Sequence, residues 1–198
     1  MDTQFPTEIP IMVLPEVSLF PNAMLPLYIF EPRYREMLKT ALENDRIFAV
    51  AMQGKTENEV HDVAGAGLIR ACVTNPDGTS NLILQGIRRV RFTGWRQMAP
   101  YRIAITESLH SVDKVTPETA QLTAEIQKIC FQLRDKGIDF PKQFDPYLRK
   151  GADADALGDI ISSVLVSDPA VRQSLLEELN VTHRLKGLLD FLRSELGK

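Results

Sequence analysis

The sequence predicts an α+β protein: a β-rich N-terminal half holding one helix, then a C-terminal bundle of helices. Three observations carry this. Short apolar runs punctuated by proline and glycine fill residues 9 to about 110. A single stripe with helical spacing interrupts them at residues 34–42. After about residue 115 the apolar period changes from 2 to 3.6, which marks a domain boundary.

The β half begins with Ile9 to Leu14, an apolar run closed by Pro15, and continues with Leu25 to Phe30. Pro10, Pro15, Pro21 and Pro26 fall in this stretch. Proline has no N–H to give to a ladder, so strands must start, end or lie at an edge where it occurs. Glu31-Pro32-Arg33-Tyr34 opens the helix, with Pro32 suited to the first turn. Tyr34, Met37, Leu38, Ala41 and Leu42 form its stripe. That face should lie against a sheet or close a barrel end. The helix should stop near Asn44-Asp45.

Ile47 to Met52 reads as the next strand, and the polar residues 53–62 as a loop. Gly65 to Val73 is a strand with a glycine-softened start. Asn75-Pro76-Asp77-Gly78 is a turn, because proline presets φ and glycine suits the last position. The strand that follows, about 80–93, should pair back antiparallel, with Val90 and Phe92 on one face and Arg89 and Arg91 on the other. Ile103 and Ile105 alternate with Arg102, Ala104 and Thr106 in a last strand.

In the second half, Thr116-Pro117 caps and starts a helix whose stripe is Leu122, Ile126, Ile129, Cys130 and Leu133, ended by Gly137. Residues 138–152 read as irregular. Leu157, Ile160, Ile161, Val164 and Leu165 make a second stripe. Asp168-Pro169 starts a third helix, and Asn180 caps a fourth carrying Leu185, Leu188, Leu189, Leu192 and Leu196. The connections between the last three are short, so neighbours should pack as hairpins.

Bulk properties narrow the function. The 198 residues are 44% hydrophobic and 25% charged, ordinary for a soluble globular protein. The net charge of −3 and pI of about 5.7 argue against nucleic acid, whose affinity comes from neutralised phosphates. The N-terminus, Met1-Asp2-Thr3-Gln4, lacks the charged and apolar regions of a leader, and no stretch approaches the roughly 20 apolar residues needed to span a bilayer. A cytoplasmic location is the simplest expectation.

Catalytic motifs are missing. Gly54-Lys55-Thr56 resembles the end of a phosphate-binding loop, but the position needing the first glycine is Ala49, inside a predicted strand. His61, His110 and His183 have no metal-ligand spacing, and Cys72 and Cys130 stand alone. Ser162-Ser163 sits in a helix with no nucleophile elbow. Arg88-Arg89-Val90-Arg91 is the densest basic cluster and reads as one outward strand face. The expectation is no enzyme, no cofactor and no metal.

The run from Pro10 to Tyr34 carries an apolar strand, then Leu19-Phe20-Pro21, then Pro26-Leu27, then Ile29-Phe30-Glu31-Pro32-Arg33-Tyr34. It resembles the signature of the Lon protease N-terminal (substrate-binding) domain family. Gly65-Ala66-Gly67-Leu68-Ile69 and Leu84-Gln85-Gly86-Ile87-Arg88-Arg89-Val90 resemble that family's next two strands. Arg172-Gln173-Ser174-Leu175-Leu176-Glu177, followed by Arg184-Leu185, resembles its helical segment, with Arg172 standing where the family usually has lysine. The resemblance implies a PUA-like β-barrel over residues 1–112 and a helical bundle over 113–198. It implies a stand-alone member without the ATPase and protease domains, and a non-catalytic role in binding unfolded or tagged polypeptides or a partner protein, as an adaptor or chaperone. An RNA-binding PUA-like protein is the alternative. Candidate peptide-binding residues lie in the signature: Phe20, Tyr28, Phe30, Glu31, Arg33 and Tyr34. Glu31 is expected to cap its helix or to pair with an arginine.

Overall fold

One long strand organises the N-terminal half. In the computed structural model, which describes residues 5–56, 58–138, 140–141, 144–149 and 151–196, Ser80–Gln97 forms a single 18-residue strand, β5. Around it run β1 (Glu8–Leu14), β2 (Met24–Ile29), β3 (Ile47–Met52), β4 (Val63–Thr74) and β6 (Arg102–Leu109). The sheet order is β2-β5-β4-β3-β1-β6, and β5 also pairs with β6. The extra pairing closes β1, β3, β4, β5 and β6 into a ring and leaves β2 attached outside it. Register shifts at Ala66/Gly67, Ile69/Ala71, Phe92/Gly94 and Trp95/Gln97 supply the bends that closure requires.

The prolines fall where the ladder has no use for their N–H. β3 joins β1 only from Ile11 onward, so Pro10 has β6 alone beside it. Pro26 lies in β2, an edge strand paired solely with β5 among the named strands. β1 and β3 are parallel, which requires a crossover, and helix α1 (Pro32–Glu43) lies on that path.

The ring interior is built from small residues. Ile9, Ile11, Ala49, Ala51, Ala64, Ala66, Val90 and Ala104, drawn from all five ring strands, are fully buried or nearly so in one cluster. A barrel of few strands is narrow, and alanine fits where leucine would not. The alternation in β6 therefore resolves in favour of the small residue: Ala104 points inward, and Ile105 is 40% exposed. The opposite face of β1 and β3 carries Met12, Phe48 and Val50, which meet Tyr34, Met37, Leu38 and Ala41 of α1. The Arg88–Arg91 reading needs correction at one position. Arg89 is buried, its guanidinium 6.0 Å from the Phe20 ring, although Arg91 on the same face is exposed.

The second compact unit starts at His110. It contains α2 (Pro117–Asp135), α3 (Ala154–Leu165), α4 (Pro169–Glu177) and α5 (Val181–Leu196). Thr116 and Thr119 form a reciprocal capping box at the start of α2. Asp153, Asp168 and Asn180 accept from backbone N–H groups at the starts of α3, α4 and α5. α5 packs against α2, α3 and α4, and its Leu185, Leu188, Leu189 and Leu192 lie in the core. In the segment read as irregular, Phe140, Phe144 and Leu148 are buried. Residues 1–4 of the N-terminal run lie outside the described residues, as do parts of 138–152 and the last two positions. No described helix is long and apolar enough to cross a membrane.

One charged cluster lies inside the helical unit. Arg184 is 0% exposed. Its guanidinium donates to the Glu178 carbonyl at 2.8 Å, pairs with Asp155, and lies 3.4 Å from Asp159. Lys114 and Ser111 also reach Asp155, at 2.8 and 2.9 Å. Burial opposes ionisation of Asp155, but Lys114, Arg184 and Ser111 together outweigh it and hold the carboxyl below its ordinary value.

Candidate binding site

The signature residues divide into those that build the barrel wall and those that face outward. Leu19 and Phe20 cross the sheet so closely that their backbone occupies side-chain space. A Cβ at Gly65 would lie 1.8 Å from the Leu19 carbonyl oxygen, and one at Gly86 would lie 2.0 Å from that of Phe20. The amide N–H of Asn22 donates to the Gly86 carbonyl, and that of Gly86 to the Ala23 carbonyl, both at 2.8 Å. The loop is thereby fixed to β5. Phe20 is 0% exposed, so it is a core residue and cannot touch a ligand; its ring lies beside the buried Arg89 guanidinium instead.

Tyr34 is also largely interior, 5% exposed. Its hydroxyl donates to the Val13 carbonyl at 3.0 Å and accepts from the Val13 amide at 3.1 Å, pinning α1 to β1. Arg33 stacks over its ring at 4.5 Å. Glu31 makes no side-chain cap; it pairs with Arg33 at 2.8 Å instead.

Tyr28 and Phe30 lie on the surface, 54% and 58% exposed, with ring centroids 5.8 Å apart and planes at 26°. Period-2 geometry puts both on one face, and the same row of β2 continues through exposed Pro26 and Met24. Leu25, Leu27 and Ile29 take the other face and pack into the core. β2 therefore presents Met24, Pro26 and Tyr28 outward, and Phe30 continues the row just past its end. Beside it runs a groove of about 440 Å³ over β2, β5 and β4, whose walls include Tyr28, Leu27, Cys72, Val73 and Ile83 and no charged side chain. Sequence reasoning missed Cys72, Val73 and Ile83, because β4 and β5 join β2 only through the sheet.

Other chemistry is limited. Among the described residues, no three His, Cys, Asp or Glu side chains gather as a metal site. Burial pushes the Cys130 thiol up to about 12, which keeps it protonated. Asp77 is held below its ordinary value by the Thr79 hydroxyl and amide inside the 75–78 turn. Gly54 bonds back to Glu59 in a turn, and no helix follows Thr56. The basic cluster is engaged within the barrel: Arg88 lies 4.7 Å over Phe5 and reaches Ser108, and Arg91 pairs with Glu107 at 3.2 Å. Ser163 bonds the Ile160 carbonyl one turn back, and its neighbour Ser162 is fully buried.

A family model for the ATP-dependent protease La (LON) substrate-binding domain matches residues 8–194. Lon protease 2 of Herpetosiphon aurantiacus is 27% identical over 202 residues, covering 96% of this chain and 24% of that protein. Lon protease of Escherichia coli strain K12 is 27% identical over 197 residues, covering 96% and 25%. The chain thus spans about a quarter of the length of the curated relatives it matches. The Lon N-terminal domain protein from Xanthomonas campestris superposes with a TM-score of 0.71 at 22% identity, over 94% of this chain and 99% of that one. The N-terminal domain of Mycobacterium avium complex Lon protease gives 0.73 at 18% identity, over 94% and 98%.

Proposed function

This chain belongs to the Lon substrate-binding domain family, and from that premise we propose that its barrel holds extended, unfolded polypeptide on the outward face of β2 and in the groove beside it. The family supports substrate recognition as the broad role. Neither the ATPase nor the protease domain of Lon lies within these 198 residues. An adaptor or chaperone-like use of the same surface is the finer part of the proposal.

The observation that carries it is the apolar row Met24, Pro26 and Tyr28 on an edge strand, continued by Phe30 just past its end. Soluble proteins rarely leave such a row open without a binding role. Aromatic rings supply large contact area at low entropic cost, so they suit a surface that must accept many sequences. Pro26 removes one backbone donor at the strand centre, which discourages uncontrolled edge pairing while leaving side-chain contact available. Glu31 and Arg33 give the row a polar rim.

The test is binding of an alkylated, permanently unfolded protein to the wild type and to the Tyr28→Ala/Phe30→Ala double variant. Both rings are more than half exposed, so the variant should keep its fold, with a stability change of about 0.5 kcal/mol per site. Binding should weaken at least about tenfold, as expected when two anchor residues are truncated. Unchanged affinity in a folded variant contradicts the reading.

A further inference from the structure

We propose that a second cavity of the barrel unit, lined by β1, the start of α1 and the start of β6, binds a carboxylate of the captured polypeptide between Arg33 and Arg102. The proposal rests on the polypeptide-binding reading and adds a charge preference to it.

The cavity measures about 560 Å³. Arg33, Arg102, Gln53 and Asn58 give it polar walls, and no acidic side chain lines it among the described residues. Ile11, Val13, Met98 and Pro100 supply apolar wall, suited to the stem of a glutamate or aspartate. Arg33 lies three positions after Phe30, at most about 11 Å of chain. One extended segment can therefore reach both the aromatic row and the cavity.

Both guanidinium groups are positioned before any ligand arrives. Arg33 stacks over Tyr34 at 4.5 Å, and Arg102 lies over Trp95 at 5.7 Å. A planar donor held against a ring loses little freedom when it receives a carboxylate. Arg33 already demonstrates the chemistry, since its Nε and Nη2 both lie 2.8 Å from Glu31 Oε2. Among the described residues Arg102 has no such acceptor. Its Nη2 donates to the Asn58 carbonyl at 3.3 Å, while Nη1 is buried without a hydrogen-bond partner among the described residues. A buried guanidinium N–H left unpaired is unfavourable, and a small shift of the guanidinium toward a carboxylate in the cavity would give it an acceptor. The acidic balance of the chain and the mixed apolar wall favour a single carboxylate over a polyanion.

The test uses the full chain and fluorescence polarisation. The probes are unstructured 15-residue peptides with two phenylalanines and one glutamate walked between them, each matched by its glutamine version. For the best-placed glutamate, the wild type should bind about tenfold tighter than it binds the glutamine partner, the size expected of one charge-assisted pair. Arg102→Gln and Arg33→Gln should each abolish that preference, bringing the affinities for the glutamate peptide and its glutamine partner to the same value. Arg33 is 53% exposed at its side chain, so that variant remains informative if Arg102→Gln misfolds. Glu31→Gln should enlarge the preference by removing the resident competitor. Equal binding of every glutamate and glutamine pair overturns the carboxylate site while leaving peptide binding standing. A preference that survives both arginine variants also overturns it. Failure of all peptides to bind removes the polypeptide reading and this inference together. Tighter binding of single-stranded RNA with a steep salt slope, competing with the glutamate peptide, overturns the choice of ligand.

Discussion

The carbonyl oxygen of Leu19 occupies the place where residue 65 would carry a Cβ, 1.8 Å from its ideal position. Backbone meets backbone there, so no rotamer change relieves a clash. Gly65→Ala should destabilise the protein by about 3 kcal/mol or more, at or beyond the upper end of ordinary overpacking. Gly94→Ala is the control. Its Cβ would sit 3.6 Å from the Ile105 side chain, an ordinary contact, so its stability should change by less than about 1 kcal/mol. Urea midpoints of the two variants check the contrast.

Phe20 and Phe30 look alike in sequence but should behave differently. Phe20→Ala empties a fully buried site and should cost about 3–5 kcal/mol. Phe30→Ala should leave stability nearly unchanged and weaken client binding. Tyr34→Phe lies between them. It removes both hydrogen bonds to Val13 and should cost about 1–2 kcal/mol without removing ring surface from the cavity wall. Thermal melts paired with binding assays separate the three.

Asp155 and Arg184 give the helical unit a pH signature. The folded Asp155 carboxyl titrates below the 3.8 of an unperturbed aspartate. Its stabilising contribution is therefore complete well above pH 4 and is lost as pH falls through the folded value. Asp155→Asn should cost about 2–4 kcal/mol at pH 7, because it removes a carboxylate from the fully buried Arg184. The gap between wild type and variant should narrow below about pH 4. Denaturant unfolding at pH 7 and pH 3 measures it.

Much of the fold is legible in the sequence, because periodicity and punctuation agree. Pro32, Thr116, Asp168 and Asn180 mark helix starts, and every residue of the 122–133 stripe is buried. Which face of a strand lies inside is less legible. Ala104 and Ile105 alternate, and hydrophobicity alone favours isoleucine for the interior, but a narrow ring selects the smaller side chain. Arg89 and Arg184 defeat a composition rule, since charged residues are rarely fully buried unless paired. The proposed binding surface is legible only in part. Tyr28, Phe30 and Arg33 are contiguous in sequence, whereas Cys72, Val73 and Arg102 come from strands that approach only through the β4–β5–β6 pairing.

The two cysteines provide the most direct measurement of where a client binds. Cys72 borders the groove and is half-buried, on the same sheet face as Leu27 and packed against the core, while Cys130 is buried with its thiol pushed up to about 12. In the native free protein a thiol reagent at neutral pH should modify Cys72 and spare Cys130. Saturating unfolded client should slow Cys72 modification several-fold, with Cys130 still unmodified. A Cys72 rate unchanged in the presence of demonstrably bound client contradicts the placement of polypeptide in the groove beside β2.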